Sequence, residues 1–244
     1  MKIPTLLLCL LLAGRAFAEE GGLVLNHLTD EEKATGFKLL FDGTPKGLFF
    51  KGVQKTDFLK AGWKIEKGVL VLEKSIDQSG KVTGGDLATV DNFVDFEFRF
   101  EWMLAVSGNS GVLYNVKSTL GGKPQGSEFQ IIDDTHHPEG LKGGPLRRTG
   151  ALNGVLPPND KKTIDVMGWN KGSILVQGNH VEHWVNDELV LEYEIGSPAM
   201  QKAINAANPR LPFGFGAKAR GPILLLDQGE NVSFRNLRLR IIRP

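Results

Sequence analysis

The chain has 244 residues, with 29 Lys or Arg against 28 Asp or Glu, so its formal net charge is only +1. This balance offers no basic surface for nucleic acid or an anionic membrane, and we expect neither partner. The single cysteine, Cys9, lies in the first eighteen residues, which excludes a disulfide framework and thiol catalysis in the rest of the chain.

Residues 1–18 have the features of a secretory signal peptide. Lys2 gives a positive start, an apolar stretch runs from Ile3 to Leu12, and Ala16-Phe17-Ala18 is a small-x-small cleavage site. An uncleaved anchor is the alternative, but the stretch is well short of the ~20 residues that span a bilayer. We therefore expect export by the Sec route to the periplasm or beyond. The mature chain is then one domain, residues 19–244, with no membrane span.

Two short helices are predicted in the mature chain. The sequence Thr29-Asp30-Glu31-Glu32 is a capping box, which predicts a helix over residues 29–34. Ser197-Pro198 predicts the start of the second helix, because proline is favoured at the first helical position. Asn208-Pro209 predicts its end.

The remaining sequence has the alternation of β-strands. In Asp95–Met103, aromatic residues at every second position face one way and charged residues face the other. Gly108–Gly111 predicts a tight turn before a strand over Val112–Val116. Further strands and turns are predicted at Glu128–Ile132, Ile174–Gln177, Asn179-His180, Val181–Val185, Asn186-Asp187, Leu189–Tyr193 and Phe234–Ile241.

A sheet with one apolar face must pack against a second layer. Helices of the kind that a parallel α/β fold needs between its strands are missing from this pattern. The sequence therefore predicts an all-β fold: a two-sheet antiparallel β-sandwich of about ten to fourteen strands.

The segment Glu128-Phe129-Gln130-Ile131-Ile132 is the most informative for chemistry. If Phe129 and Ile131 face the core, Glu128 and Gln130 project together from the outer face of their strand. An amide can bond sugar hydroxyls, and a carboxylate can accept hydrogen bonds or a proton, so this pair suits a carbohydrate groove. An ordinary solvated strand face is the alternative.

His136 and His137 follow Asp133-Asp134 closely and could supply a base near Glu128. Together with Asp133-Asp134 they could instead ligate a metal, but this spacing is not a recognised metal-binding pattern. We expect no metal and no cofactor. Trp169 and Trp184 could stack on sugar rings, but a core position is the more common place for tryptophan. His183 and Trp184 must lie on opposite faces of one strand, so one of them should be core.

Several segments, taken in order, resemble the 3-keto-disaccharide hydrolase domain family, which comprises exported bacterial domains with a concanavalin A-like jelly-roll sandwich. The similarity covers nearly all of the mature chain. Its segments are Gly36–Gly43, Trp63–Leu70, Gly84–Leu87, Asp95–Trp102, Gly108–Val112, Glu128–Asp134, Gly178–Asn186 and Val232–Leu237.

The resemblance implies a carbohydrate substrate and a set of site residues. It maps Glu128, Gln130 and Asp133 onto a sugar-facing motif, and it points to the regions of Asn109 and His183. Four departures from the family pattern are visible. Leu226-Asp227-Gln228-Gly229 replaces the family's Gln-Asp-His-Gly motif, Asn153 replaces a tyrosine, and Asn115 replaces an arginine. The tryptophan usual soon after Phe-Asp-Gly is replaced in the segment Leu48-Phe49-Phe50.

The function that the resemblance implies is hydrolysis of 3-keto-glycosides, whose ketone acidifies the proton on C2. Glu128, His136 and His137 are the candidate bases, and Gln130, Asn109 and Asp227 are candidates for binding and orientation. A direct hydrolysis would need a second acid such as Glu101 or Asp133. A separate sugar 3-oxidoreductase could supply the substrate. The alternative is a non-catalytic carbohydrate-binding module of the same fold, which the departures at Leu226, Gln228 and Asn153 favour.

Overall fold

The computed structural model describes residues 25–53, 62–73, 75, 77–81, 83–117, 124–160, 163–207, 211 and 214–243. The predicted signal peptide and the predicted helix end at Asn208-Pro209 lie outside these ranges. Among the helices within them, none has the length and apolar character needed to cross a membrane.

The described residues form thirteen strands and few helices. The strands are β1 Lys38–Leu39, β2 Phe50–Gly52, β3 Trp63–Glu66, β4 Val69–Leu72, β5 Leu87–Thr89, β6 Phe96–Leu104, β7 Asn109–Lys117, β8 Gln125–Ile132, β9 Asn170–Gln177, β10 His180–Val185, β11 Glu188–Glu194, β12 Leu224–Leu225 and β13 Val232–Ile241. The α-helices are α1 Asp30–Ala34, α2 Pro138–Lys142 and α3 Pro198–Ala207, and residues Gly144–Arg147 form a 3-10 helix.

The strands form two antiparallel sheets. The larger has the order β11-β10-β9-β6-β13-β4-β3, with β1 also paired to β13, and the smaller has the order β2-β5-β12-β7-β8. The inner faces of the two sheets pack together, and the outer face of the five-stranded sheet carries Glu128. The predicted all-β, two-sheet sandwich is confirmed, as is the Thr29 capping box that begins α1.

Local predictions at three turns can be compared with the structure. Asn186 and Asp187 form a turn with φ of 50° and 68°, the left-handed values that a two-residue hairpin of type I′ requires. The turn predicted at Asn179-His180 was misplaced by one residue, since His180 already pairs with Gln177. The turn predicted at Gly108–Gly111 was also wrong in extent, because β7 begins at Asn109.

The core is rich in aromatic side chains from β6. Phe96, Phe98, Phe100 and Trp102 are each at most 1% exposed. Phe129 of the opposite sheet meets Phe100 edge to face, with ring centroids 5.5 Å apart. This contact between sheets fixes which way β8 faces, and Glu128 must therefore point outward.

One polar cluster crosses the core between the sheets. The Tyr114 hydroxyl on β7 is 2.7 Å from His183 Nε2 on β10 and 2.7 Å from the Tyr193 hydroxyl on β11. The other ring nitrogen of His183, Nδ1, is 2.9 Å from the Gly150 carbonyl oxygen. Both ring nitrogens are thus satisfied without a charge, which is how polar groups are tolerated in a core.

Stability should depend on pH through His183. Burial lowers the pKa of His183 from 6.5 to about 4, and the Gly150 carbonyl opposes this only in part. The unfolded chain therefore takes up this proton first, and His183 should cost about 3 kcal/mol of stability as the pH falls from 6.5 to 4.

Urea unfolding at pH 7.5 and pH 4.5 tests this expectation. We expect the stability difference between the wild type and His183→Gln to shrink at the lower pH. Carboxylates present in both proteins cancel in that difference. A difference that is the same at both pH values would contradict the prediction.

Candidate active site

The outer face of β7 and β8 forms the floor of the candidate site. Glu128 lies opposite Leu113 of β7, and Gln130 lies opposite Gly111. On the other side of β7, the Leu226 amide donates to the Gly111 carbonyl (3.0 Å), so Leu226 continues this row across the sheet. The floor is therefore apolar beside two polar side chains.

Gly111 makes room for the Glu128 side chain. A Cβ atom on Gly111 would lie only 2.7 Å from Glu128 Oε1 and 3.2 Å from Leu226 Cδ1. Any larger residue would displace the carboxylate. The Glu128 side chain thus leans over β7 toward Leu226 and does not extend freely into solvent.

Two amides hold the Glu128 carboxylate. Gln228 Nε2 donates to Glu128 Oε1 at 3.0 Å. The Gln130 amide is assigned the orientation in which its nitrogen faces two acceptors. In this orientation the nitrogen donates to Glu128 Oε1 (3.0 Å) and to the Ser110 carbonyl (3.1 Å). The carboxylate is therefore fixed in one position, and Glu128 as a residue is half-buried. Gln130 itself is fully buried. Its amide holds Glu128 and is not available to a substrate, which corrects the predicted sugar contact.

The segment after β8 folds back along that strand and completes the site. The Gly150 amide donates to the Gln130 carbonyl (2.8 Å), and the Asn153 amide donates to the Glu128 carbonyl (3.0 Å). Arg147 Nη1 donates to Asn153 Oδ1 at 3.0 Å. This segment brings a guanidinium and a third amide to the edge of the site, residues that strand patterns alone did not identify.

The site favours the protonated form of Glu128. Burial raises the pKa of Glu128 to about 7. Hydrogen bonds from Asn153 and Gln228 and the charge of Arg147 oppose that rise, and the charge of Asp86 adds to it. A carboxyl with a pKa near neutrality can both take and release a proton at physiological pH.

Asp86 is a second half-buried carboxylate of this face, and the sequence analysis did not select it. Its Oδ1 accepts the Asp227 amide at 2.9 Å. Burial raises the pKa of Asp86 to about 6, and the charge of Asp227 adds to that effect. The sequence did contain a hint that Asp86 belongs to the site. Asp86 immediately precedes the apolar strand β5 and lies in Gly84–Leu87, one of the segments that resemble the family.

Asp133, predicted to face a sugar, is fully buried and organises the loop after β8. It accepts hydrogen bonds from the Ser107 amide (2.9 Å) and from the Thr135 amide (3.0 Å) and hydroxyl (2.8 Å). Burial raises its pKa, but the hydrogen bonds from Ser107, Thr135 and His136 outweigh this and lower it to about 2. With no exposure, Asp133 is not available to a substrate.

The two candidate histidines belong to the same loop. His136 Nδ1 lies 2.9 Å from Asp133 Oδ2, and its side chain is 58% exposed. His137 is the N-cap of α2, where its Nδ1 accepts the Glu139 amide. Ile132 lies four residue steps along the strand from Glu128, a rise of about 13 Å, and the histidines lie beyond that point. This placement does not support either histidine as a base beside Glu128.

Two further candidates lie elsewhere in the sandwich. Glu101 is on the outer face of the eight-stranded sheet, where it accepts hydrogen bonds from Arg235 (2.7 Å) and Asn236 (2.8 Å). His183 is completely buried between the sheets. The predictions of a second acid at Glu101 and of a sugar contact at His183 are therefore wrong. They assumed that both side chains face the same groove as Glu128, and neither does.

Asn109 and Asp227 lie at the margin of the site. Asn109 opens β7 opposite Ile132, and its buried Oδ1 has no hydrogen-bond partner. The Asp227 carboxylate accepts a hydrogen bond from the Ser75 hydroxyl (2.6 Å). Asp227 contacts the site through its backbone amide, which donates to Asp86 Oδ1.

The core position expected for Trp169 and Trp184 was wrong. Both are half-buried on the larger sheet's side, with the Arg235 guanidinium 3.9 Å from the Trp169 ring centroid. The prediction that either His183 or Trp184 is core is confirmed, and the core residue is the histidine.

Comparison with known proteins identifies the family. Residues 36–240 match the 3-keto-alpha-glucoside-1,2-lyase-like domain. A 3-keto-disaccharide hydrolase from Bacteroides thetaiotaomicron is 29% identical over 233 residues, covering 86% of this chain and 79% of the relative.

Two solved structures from Parabacteroides distasonis, both provisionally named glycosyl hydrolases, are also similar. One superimposes with a TM-score of 0.78 at 28% identity and covers 90% of this chain and 100% of its own. The other has a TM-score of 0.60 at 24% identity, covers 79% of this chain and 99% of its own, and supports the fold alone. With residues 36–240 matched, the chain belongs to the 3-keto-alpha-glucoside-1,2-lyase-like domain family and is a carbohydrate-active, hydrolase-like enzyme.

Proposed function

We propose that the protein cleaves 3-keto-glycosides at the bond between C1 and the glycosidic oxygen. The observation that carries the proposal is Glu128, a half-buried carboxylate held by two amides over an apolar floor, with its pKa raised to about 7. The family and the named relative support the keto-sugar as the substrate class.

The chemistry follows from the ketone at C3. It makes the hydrogen on C2 acidic, so a carboxylate can remove that proton and leave an enolate. The enolate expels the oxygen on C1, which creates a double bond between C1 and C2. Water then adds across this double bond and releases the free 3-keto-sugar. Glu128 is the carboxylate proposed to exchange a proton with the substrate.

The neighbouring polar groups suit the remaining tasks. Gln228 and Gln130 fix the carboxylate, which keeps its geometry constant between substrate molecules. The Arg147 guanidinium lies beside Asn153, at the edge of the site. We assign to it the stabilisation of negative charge that develops on the C3 oxygen.

Purified protein incubated with an aryl 3-keto-glucoside in D₂O tests the proposal. We expect release of the aryl alcohol, with deuterium at C2 of the released sugar before the free sugar exchanges by itself. Release without deuterium would indicate direct hydrolysis of the glycosidic bond. Binding of oligosaccharides with no turnover of several 3-keto-glycosides would contradict the proposed function.

We also propose that the protein is exported and works beside an oxidising enzyme. The sequence of residues 1–18 supports export, and N-terminal sequencing of secreted protein should begin at Glu19. A start at Met1 would contradict this. A 3-keto-glycoside arises by oxidation of a sugar hydroxyl at C3, so a sugar 3-oxidoreductase must act before this reaction.

A further inference from the structure

We propose that Asp86 is a second catalytic carboxylate of this site and shares the proton transfers of the reaction with Glu128. This inference rests on the proposed function and adds to it a residue that the sequence analysis did not select. It is carried by the position of Asp86 on the same face as Glu128 and by the short segment that connects the two side chains.

One stretch of backbone positions both carboxylates. The Asp227 amide donates to Asp86 Oδ1 (2.9 Å), while the side chain of the next residue, Gln228, donates to Glu128 Oε1 (3.0 Å). Leu226 immediately precedes these two residues and lies on the floor of the site. Its side chain is next to Gly111, the residue over which the Glu128 side chain leans. Residues 226–228 thus tie the two acids to a common support.

The separation of the two acids suits a sugar between them. Asp86 stands at the start of β5, and β12 and β7 lie between β5 and β8. Because Glu128 leans over β7, the gap between the carboxylates is about one to two strand spacings, or about 5–10 Å. Carboxylate pairs that act on either side of a glycosidic bond in other enzymes are about 5–9.5 Å apart.

The charges around the pair also fit the assignment. Asp86 is close enough to Glu128 for its charge to act on that carboxyl, which also faces Arg147. Asp86 itself faces the charge of Asp227. Asp86 and Glu128 are both half-buried residues, so neither is enclosed in the core. Two interacting acids of this kind titrate as a pair and hold a single proton over an intermediate range of pH.

The pair with one proton can complete the elimination without another reagent. The ionised carboxylate takes the C2 proton, and the electron pair of that C–H bond forms the C1–C2 double bond. The C1–O bond breaks, and the protonated carboxyl delivers its proton to the departing oxygen. Hydration reverses the roles: water gives hydroxide to C1 and a proton to one carboxylate, while the other returns a proton to C2.

The experiment compares Asp86→Asn with the matched control Asp91→Asn, an exposed aspartate five residues along the chain. On an aryl 3-keto-glucoside we expect Asp86→Asn to lose ~100-fold or more in kcat and Asp91→Asn to stay within about twofold. The wild-type kcat/KM should be bell-shaped in pH, and Asp86→Asn should lose one limb. Added formate should restore part of the activity of Asp86→Ala, a readout that a purely structural role would not give.

A double variant provides a further check. If Asp86 and Glu128 act as a unit, Asp86→Asn combined with Glu128→Gln should be no slower than the slower single variant. An active wild type whose Asp86→Asn variant keeps its rate and its pH profile would overturn this inference and leave the proposed function intact. A wild type inert on every 3-keto-glycoside would overturn both.

Discussion

Glu128→Gln is expected to lose turnover of 3-keto-glycosides by about 10²–10⁴-fold while keeping its fold and its sugar affinity. Glutamine has nearly the same shape, and its amide can still meet Gln228 across the 3.0 Å contact. It cannot take or release a proton at physiological pH. Initial rates and isothermal titration calorimetry with an unreacted sugar measure the two effects separately.

The stability of this variant provides an internal control. Because burial raises the pKa of Glu128 from 4.5 to about 7, its ionisation costs stability as the pH rises from 4.5 through 7. Glu128→Gln should therefore melt no lower than the wild type at pH 8. Glu192→Gln, at an exposed position on β11, should leave rate and melting temperature unchanged. A Glu128→Gln protein nearly as active as the wild type would place the proton transfer elsewhere.

Trp102→Ala is expected to lower the free energy of unfolding by about 3–5 kcal/mol. Trp102 is completely buried, and its ring lies 5.8 Å from Phe100 and 6.3 Å from Phe129 between centroids. Removing it leaves a cavity between the sheets directly beneath β8. Urea unfolding monitored by circular dichroism measures the loss.

Trp102→Phe separates the volume of the indole from its polarity. The buried Trp102 Nε1 has no hydrogen-bond partner, so the wild type already bears the cost of an unsatisfied donor. Phenylalanine keeps most of the volume and removes that donor. We expect it to cost less than half of the alanine effect, and an equal loss in both variants would show that the cavity argument is wrong.

The alternation of apolar and polar residues was enough to predict the sandwich. It placed Phe129 and Ile131 inward and Glu128 and Gln130 outward because a strand offers only two faces. The same rule could not say which sheet a strand joins. Glu101 and Glu128 both project from outer faces, yet those faces lie on opposite sides of the molecule. Sheet membership depends on long-range pairing, which local periodicity does not encode.

The residues around Glu128 were harder to predict because loops supply them. Arg147 and Asn153 reach the site only through the chain reversal after β8, and Gln228 reaches it from the connection between β12 and β13. The irregular alternation near Asn236 has a similar origin. Its φ of 53° marks the register shift in β13, and such a bulge changes which residues face the core.

The buried contacts from Tyr114 to His183 and Tyr193 restrict how the two layers can move. Apolar packing resists separation of the sheets but is non-directional, so it opposes sliding of one sheet over the other only weakly. Hydrogen bonds of 2.7 Å between a β7 side chain and two strands of the opposite sheet resist such shear, because their strength falls steeply with misalignment. The five-stranded sheet that carries Glu128 is thereby held in a fixed position relative to the opposite sheet. Small rearrangements of the apolar core should therefore not shift the site sideways.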